Sequence, residues 1–411
     1  MSWDQLATGV ELPIPAWVTV PDLHELALPA PDPVPVDDVE QAAHREVLTR
    51  FAGQLTAGTT VAVGAGSRGL TDRVALLRGT IAGLRELGAE PFVVPAMGSH
   101  GGATAAGQVA MLTSLGMTEQ ALGAEIRATM DTVVVARTTS GTPVHLDAHA
   151  AAADRFLAVN RVKPHTCFKG PIESGLTKMA VVGFGKQPGA ALVHACGPEE
   201  MRDRLLDAAA ALRATGRLLG GVATIESPLG AVVHVEAVPA DQMGSAEGRE
   251  HELTEQARAL VPPLPFEEID VLIVDRGGKD ISGTTIDPNV TGRFWVDGLD
   301  DLAKPHVHAI VLLDLTEVSA GNALGIGFAD FIPAALANRL DFQKTYVNCF
   351  TAGASGLRRS RLPMVLPDAD ACIKAALTMC GRGPDLPPRV VRIESTLHLT
   401  RCWVSAALLP R

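Results

Sequence analysis

Between residues 59 and 115 the chain alternates twice between a short β-rich run and a helix-length amphipathic segment, and this alternation restricts the fold more than any other feature. The run TTVAV (59–63) leads through GAGSRG into a segment over 71–87 that stops at Gly88. PFVVPA (91–96) then leads through MGSHGG into a second segment over 104–115. Strand, helix and strand in succession require a parallel sheet with crossover helices, because parallel neighbours cannot be joined by a tight turn. Val74, Leu77, Ile81 and Leu84 fall on one helical stripe, and Asp72 and Thr104 stand where N-caps are expected. More β-rich runs follow at 132–136, 155–160, 218–225 and 231–238, with helices expected at 199–215 and 245–260. PAPDPVPVDD (29–38) is too rich in proline and acid for helix or central strand and is expected to wrap the surface extended.

A chain of 411 residues exceeds one ordinary core, and VPPLPFEEID (261–270) marks a boundary where prolines precede a fresh β start, VLIVD (271–275). Beyond it come HAIVLLDL (308–315), a helix near 328–340, the run TYVNCF (345–350) and a helix near 368–381. The expected architecture is α/β: two α/β domains, 1–265 and 266–411, with Rossmann-like mixed or parallel sheets and an active-site cleft between them. A net charge of −11 speaks against nucleic acid or an anionic membrane as partner and leaves small molecules. Six scattered cysteines form no CxxC pair, so they read as reduced core or near-site residues. MSWDQLATGVELPIPAW has no basic start followed by an apolar core, and the cytoplasm is the expected compartment.

GAGSRG (64–69) fits GxGxxG after a strand and would suit an NAD(P)-type oxidoreductase. That chemistry also needs a carboxylate at the end of the second strand for the ribose hydroxyls, where this chain has PAMGSHGG. GFGKQ lacks the earlier glycine and the Ser or Thr of a Walker loop. HLDAH (145–149) reads as a strand leading into a helix start rather than a metal motif, HVH (306–308) as the lead into a strand, and LRRSR (357–361) as a solvated turn. What remains is a set of polar residues at strand ends: Arg68, His100, His165, and then Lys178 and His194 in apolar, glycine-broken surroundings. Loops at the carboxyl ends of parallel strands converge, so these residues can meet although they are distant in sequence.

SRGLTD, GSHGGAT, KPHTCFKGPIESGLTKM and the His194 segment, in that order, resemble the nickel-pincer-nucleotide lactate racemases and their relatives. The resemblance implies an isomerase that racemises or epimerises a small 2-hydroxy acid by reversible hydride transfer. Its cofactor is a pyridinium bis-thiocarboxylate mononucleotide carrying nickel, made by cofactor-synthesis enzymes that the protein would meet transiently. Carried over, Lys178 tethers the cofactor with Ser67 and Thr177 beside it, and His194 ligates nickel. His100 and His165 become the acid/base pair, Arg68 holds the substrate carboxylate, and Lys279 adds a substrate contact. Where the family has an Asp before that arginine this chain has Ala65 and Gly66, and DRGGKDISGTTIDPNVTG diverges after Asp280. These departures lie on the substrate side, so the resemblance carries the cofactor further than it carries lactate. A cofactor-binding relative without catalysis shares the same motifs.

Overall fold

In the computed structural model, which describes residues 2–7, 10–28, 31, 33–67, 70–261 and 263–409, the sequence alternation becomes two sheets flanked by helices. In chain order the strands are β1 (Leu23–Ala27), β2 (Thr60–Ala65), β3 (Glu90–Pro95), β4 (Thr132–Arg137), β5 (Pro143–Asp147), β6 (Arg155–Arg161), β7 (Leu218–Glu226), β8 (Val232–Pro239), β9 (Glu268–Gly277), β10 (His306–Leu315), β11 (Phe331–Pro333), β12 (Met364–Leu366), β13 (Val390–Ile393) and β14 (Arg401–Ser405). The chain divides into two units, one of residues 32–260 and one of residues 1–31 with 261–411. The sequence assigns residues 1–31 to the first domain. Instead β1 pairs antiparallel with β14, which completes the backbone hydrogen bonding of an edge that belongs to the second unit.

In the unit of residues 32–260 the strand order is β3-β2-β6-β7-β8, parallel apart from β8. Alternate side chains leave opposite faces of a strand, so each strand feeds two cores. Val61, Val63, Val93 and Leu157 pack with helices Val39–Phe51 and Arg73–Glu86, whereas Ala62, Phe92 and Phe156 pack with helix Pro198–Ala214. The chain runs outward from β2 to β3 and then returns to place β6 on the other side of β2. That reversal is the switch point at which an open α/β sheet leaves a crevice at its strand ends. β4 and β5 form a separate antiparallel hairpin. Thr104 caps its helix, its hydroxyl accepting from the Gly107 amide at 3.1 Å. Asp72 precedes helix Arg73–Glu86 in a left-handed conformation at φ 54° and its side chain makes no capping bond.

The other sheet is ordered β1-β14-β13-β9-β10-β11-β12, with an antiparallel edge and a parallel remainder. Leu272, Val274, Ile310 and Leu312 line one face, and Val271, Ile273 and Val311 line the other against helix Ala369–Met379. Three sequence expectations change here. The helix near 328–340 is short, Ala334–Asn338, because the preceding Phe331–Pro333 extends to pair with β10 and β12. TYVNCF lies inside helix Phe342–Ala352, which Asp341 caps by accepting from the Lys344 amide at 2.9 Å. LRRSR is not a solvated turn: Arg359 is buried, donates to the Phe294 carbonyl and lies over the Phe328 ring. Among the described residues no helix is long and apolar enough to cross a membrane.

Glu236 on β8 ties that strand to helix Arg249–Ala259, accepting two bonds of 2.8 Å from the Arg249 guanidinium and facing His234 at 2.8 Å. Burial pushes this carboxyl up, but the bonds from His234 and Arg249 outweigh burial and hold it down at about 2. A depressed carboxyl stabilises the fold above its ordinary value of 4.5, and that stability fades as pH falls toward 2. Glu236→Gln is therefore expected to lower unfolding free energy by about 3 kcal/mol in urea at neutral pH. The gap between variant and wild type should close on acidification.

Candidate functional site

The carboxyl ends of β2, β3 and β6 carry the loops that hold Ser67, His100 and His165, on either side of the switch point. Ser67 Oγ meets His100 Nδ1 at 2.5 Å, which joins the loop after β2 to the loop after β3. The Gly98 amide donates to the Gly183 carbonyl at 3.1 Å and so fastens the His100 loop to the segment after Lys178. Gly66 packs against the Met179 side chain, where a Cβ would come within 3.0 Å of the terminal methyl and the methionine would have to shift.

The glycine-broken stretch is helical. Leu176–Lys178 forms a first turn, Met179–Gly183 widens into a π turn closed by the Phe184 amide on the Met179 carbonyl at 2.9 Å, and helix Lys186–His194 follows. Leu176, Met179, Ala180, Val181 and Phe184 anchor it in the core, while the extra residue of the π turn re-aims what precedes it. Pro188 is tolerated because an amide in the first helical turn has no intrahelical acceptor. Ala190 stands beside Gly98, and His194, four residues on, shares that helix face with it.

His165 lies on a loop closed by paired bonds between Lys163 and Ser174. Its own amide donates to Glu173 Oε2 at 2.5 Å, its ring stacks on Phe168 at 4.3 Å, and Nδ1 accepts from the Cys167 amide at 3.1 Å. Glu173 is fully buried and paired with Arg258 at 2.6 Å. An Nδ1 that accepts leaves Nε2 as the protonated nitrogen of a neutral imidazole. Nε2 meets Lys178 Nζ. The arrangement brings the Lys178 amine, an oriented imidazole and a second imidazole backed by a hydroxyl to the ends of strands on either side of β2.

Thr177 is buried and turned inward: its amide and hydroxyl both donate to Glu250, at 2.8 and 2.5 Å, so it anchors the start of the Lys178 turn rather than facing a ligand. Burial pushes the Glu250 carboxyl up against the bonds from Thr177, Gly244 and Leu176 that lower it. Arg68 lies outside the described residues. Lys279 falls in the other unit, in the loop after β9, where Nζ donates to the Gly283 carbonyl at 2.7 Å and its amide to Ser319 Oγ at 2.8 Å. As for the GxGxxG reading, the helix after that loop opens only at Arg73, with the Asp72 carboxylate at its mouth. A negative charge there opposes a pyrophosphate. A recess of about 670 Å³ lined by Leu70, Thr71, Arg73, Arg78, Ser114 and Leu115 includes none of the histidines.

Lys186, the lysine of GFGKQ, ties three of these segments together. It is fully buried at φ +52°, its ammonium donating to the Pro95 carbonyl at 2.5 Å and to Gln108 Oε1 at 3.0 Å, with Asp147 Oδ2 3.0 Å away as an ion-pair partner. Gln108 in turn donates to the carbonyls of Gly98 and His100 at 2.9 and 3.3 Å. Burial lowers the Lys186 ammonium below its ordinary value against the attraction of Asp147. Glu173, Glu250 and Gln108 carried no sequence signal beyond being polar in otherwise apolar segments.

The chain is similar in fold to the lactate racemase apoprotein of Thermoanaerobacterium thermosaccharolyticum, with a TM-score of 0.50 and 12% identity over 84% of this chain and 85% of that one. A protein from Thermotoga maritima overlaps it more loosely, with a TM-score of 0.47 and 10% identity over 80% and 83% of the two chains. No protein-family model matches the chain, and no curated protein matches it in sequence. Lys186→Met strands Asp147 and Gln108 in the core and should cost about 3–5 kcal/mol in denaturant unfolding, as removal of one partner of a buried pair does.

Proposed function

We propose that the chain is an isomerase that interconverts the two configurations of a small 2-hydroxy acid by reversible hydride transfer, with a nickel-pincer nucleotide held at the Lys178 turn. The observation that carries this reading is the meeting of the Lys178 amine with His165 Nε2 at the same strand ends as the Ser67–His100 pair. A racemase-like fold supports it at the level of architecture.

The donors fit such a group in kind. Lys178 offers an amine that can form a covalent bond to a carboxyl-derived substituent, and His194 offers the imidazole that nickel in a sulfur-rich site accepts. Ser67 backs His100, whereas Thr177 is committed to Glu250 and would support Lys178 instead. When bound, the nucleotide supplies a hydride acceptor; the residues supply proton handling and orientation. Ser67 on Nδ1 orients the His100 ring and assigns proton exchange to Nε2. On His165 the exchangeable proton is also at Nε2, because Nδ1 accepts from Cys167. Two imidazoles on separate loops can each take or return the hydroxyl proton of one configuration, and imidazole, with a pKa of about 6.5, serves both directions near neutrality. Arg68 would pair with the substrate carboxylate through two parallel bonds.

The test is intact-mass and metal analysis of protein produced together with the cofactor-synthesis enzymes. Stoichiometric nickel and a nucleotide-sized mass increment are expected, and Lys178→Ala should lose the increment. A Lys178→Ala protein that keeps the full increment overturns the tether. His100→Ala and His165→Ala should each retain nickel while hydride exchange at the substrate carbon falls by about 100- to 10,000-fold, and His194→Ala should lose nickel.

A further inference from the structure

We propose that Glu268, His306 and His308 form a binding site for a divalent borderline metal ion of the zinc or nickel kind, in a different unit from the histidines of the strand ends. His306 and His308 are two apart on β10, so both imidazoles project from one face of the strand, and the β9–β10 register sets Glu268 opposite His306. Glu268 Oε2 lies 3.2 Å from His306 Nδ1 and 3.1 Å from His308 Nε2, and the three donor atoms fall within 4.8 Å of one another. Ligands about 2.0–2.1 Å from a tetrahedral zinc sit roughly 3.3 Å apart, so these donors need only small rotamer adjustments to enclose an ion.

The donor set decides the class of metal. Two imidazoles and one carboxylate suit zinc, nickel or cobalt, whereas calcium and magnesium require oxygen ligands. Three protein donors leave a position for water. The bonds from His306 and then His308 hold the Glu268 carboxyl below the ordinary range, so it is ionised and ready to ligate at neutral pH. Arg389 stands 3.6 Å from Glu268 and opposes a cation, but its guanidinium is directed to Asp270 at 2.6 and 3.1 Å, a carboxylate it shares with Arg382. His306, Glu268 and His308 side chains are 56%, 42% and 35% exposed, which lets a hydrated ion reach them without any opening of the fold.

Chelator-stripped full-length protein is titrated calorimetrically with zinc chloride at about pH 7.5, where imidazole is mostly neutral, beside H306A/H308A, E268Q and H194A. All four should fold alike, because the three residues are at the surface, and thermal melting checks this. The wild type and H194A are expected to take up one equivalent of zinc that H306A/H308A lacks, and E268Q to bind it about tenfold more weakly. The same equivalent should be released on lowering the pH to about 5.5. Zinc uptake by H306A/H308A equal to wild type in stoichiometry and affinity overturns the proposal, as does a wild type that takes up none. Neither outcome touches the nickel content that tests Lys178 and His194.

Discussion

A buried ammonium holds together the carboxyl end of the five-stranded sheet. Lys186 reaches from the start of its helix to the last carbonyl of β3, to Gln108 on the following helix and to Asp147 at the end of β5. These segments are far apart in sequence, and each would otherwise leave a polar atom in an apolar core, at a cost of roughly 1–3 kcal/mol per unsatisfied group. Satisfying them from one atom also explains why Lys186 tolerates a left-handed backbone, which ordinarily costs a non-glycine residue about 1–3 kcal/mol. The consequence reaches the site through two short relays: Gln108 holds the carbonyls of Gly98 and His100, and the Gly98 amide holds Gly183 in the π turn that follows Lys178.

The same economy governs His165. A backbone amide on one ring nitrogen determines which nitrogen carries the proton, and that nitrogen faces the only amine of the Lys178 turn. Glu173 and Phe168 hold the loop and the ring, and Glu250 holds the turn through Thr177. His165 and Lys178 thus each have a supporting group in the core, which limits the range of positions they can take.

The alternation of β runs and helices was legible from 59 to 115 and again from 199 to 239, because apolar periodicity is a local property that tertiary packing rarely reverses. It failed where locality failed. TYVNCF has the composition of a strand, yet it lies inside helix Phe342–Ala352, which Asp341 caps from outside the run. The segment 328–340 has helical composition, yet its first residues extend because a parallel partner waits on each side. Arg359 reads as a solvated charge until its guanidinium is seen on a buried carbonyl.

By itself the sequence determined the α/β class, the strand-end positions of His100 and His165, and the apolar setting of Lys178, since each follows from residues adjacent in the chain. Only the tertiary structure decided that Ser67 backs His100, that Cys167 and Lys178 divide the two nitrogens of His165, that Thr177 belongs to Glu250, and that β1 completes the other sheet. Those pairings link groups up to hundreds of residues apart. Which buried polar atom finds which partner depends on distance and direction in space, and no local pattern of residues encodes it.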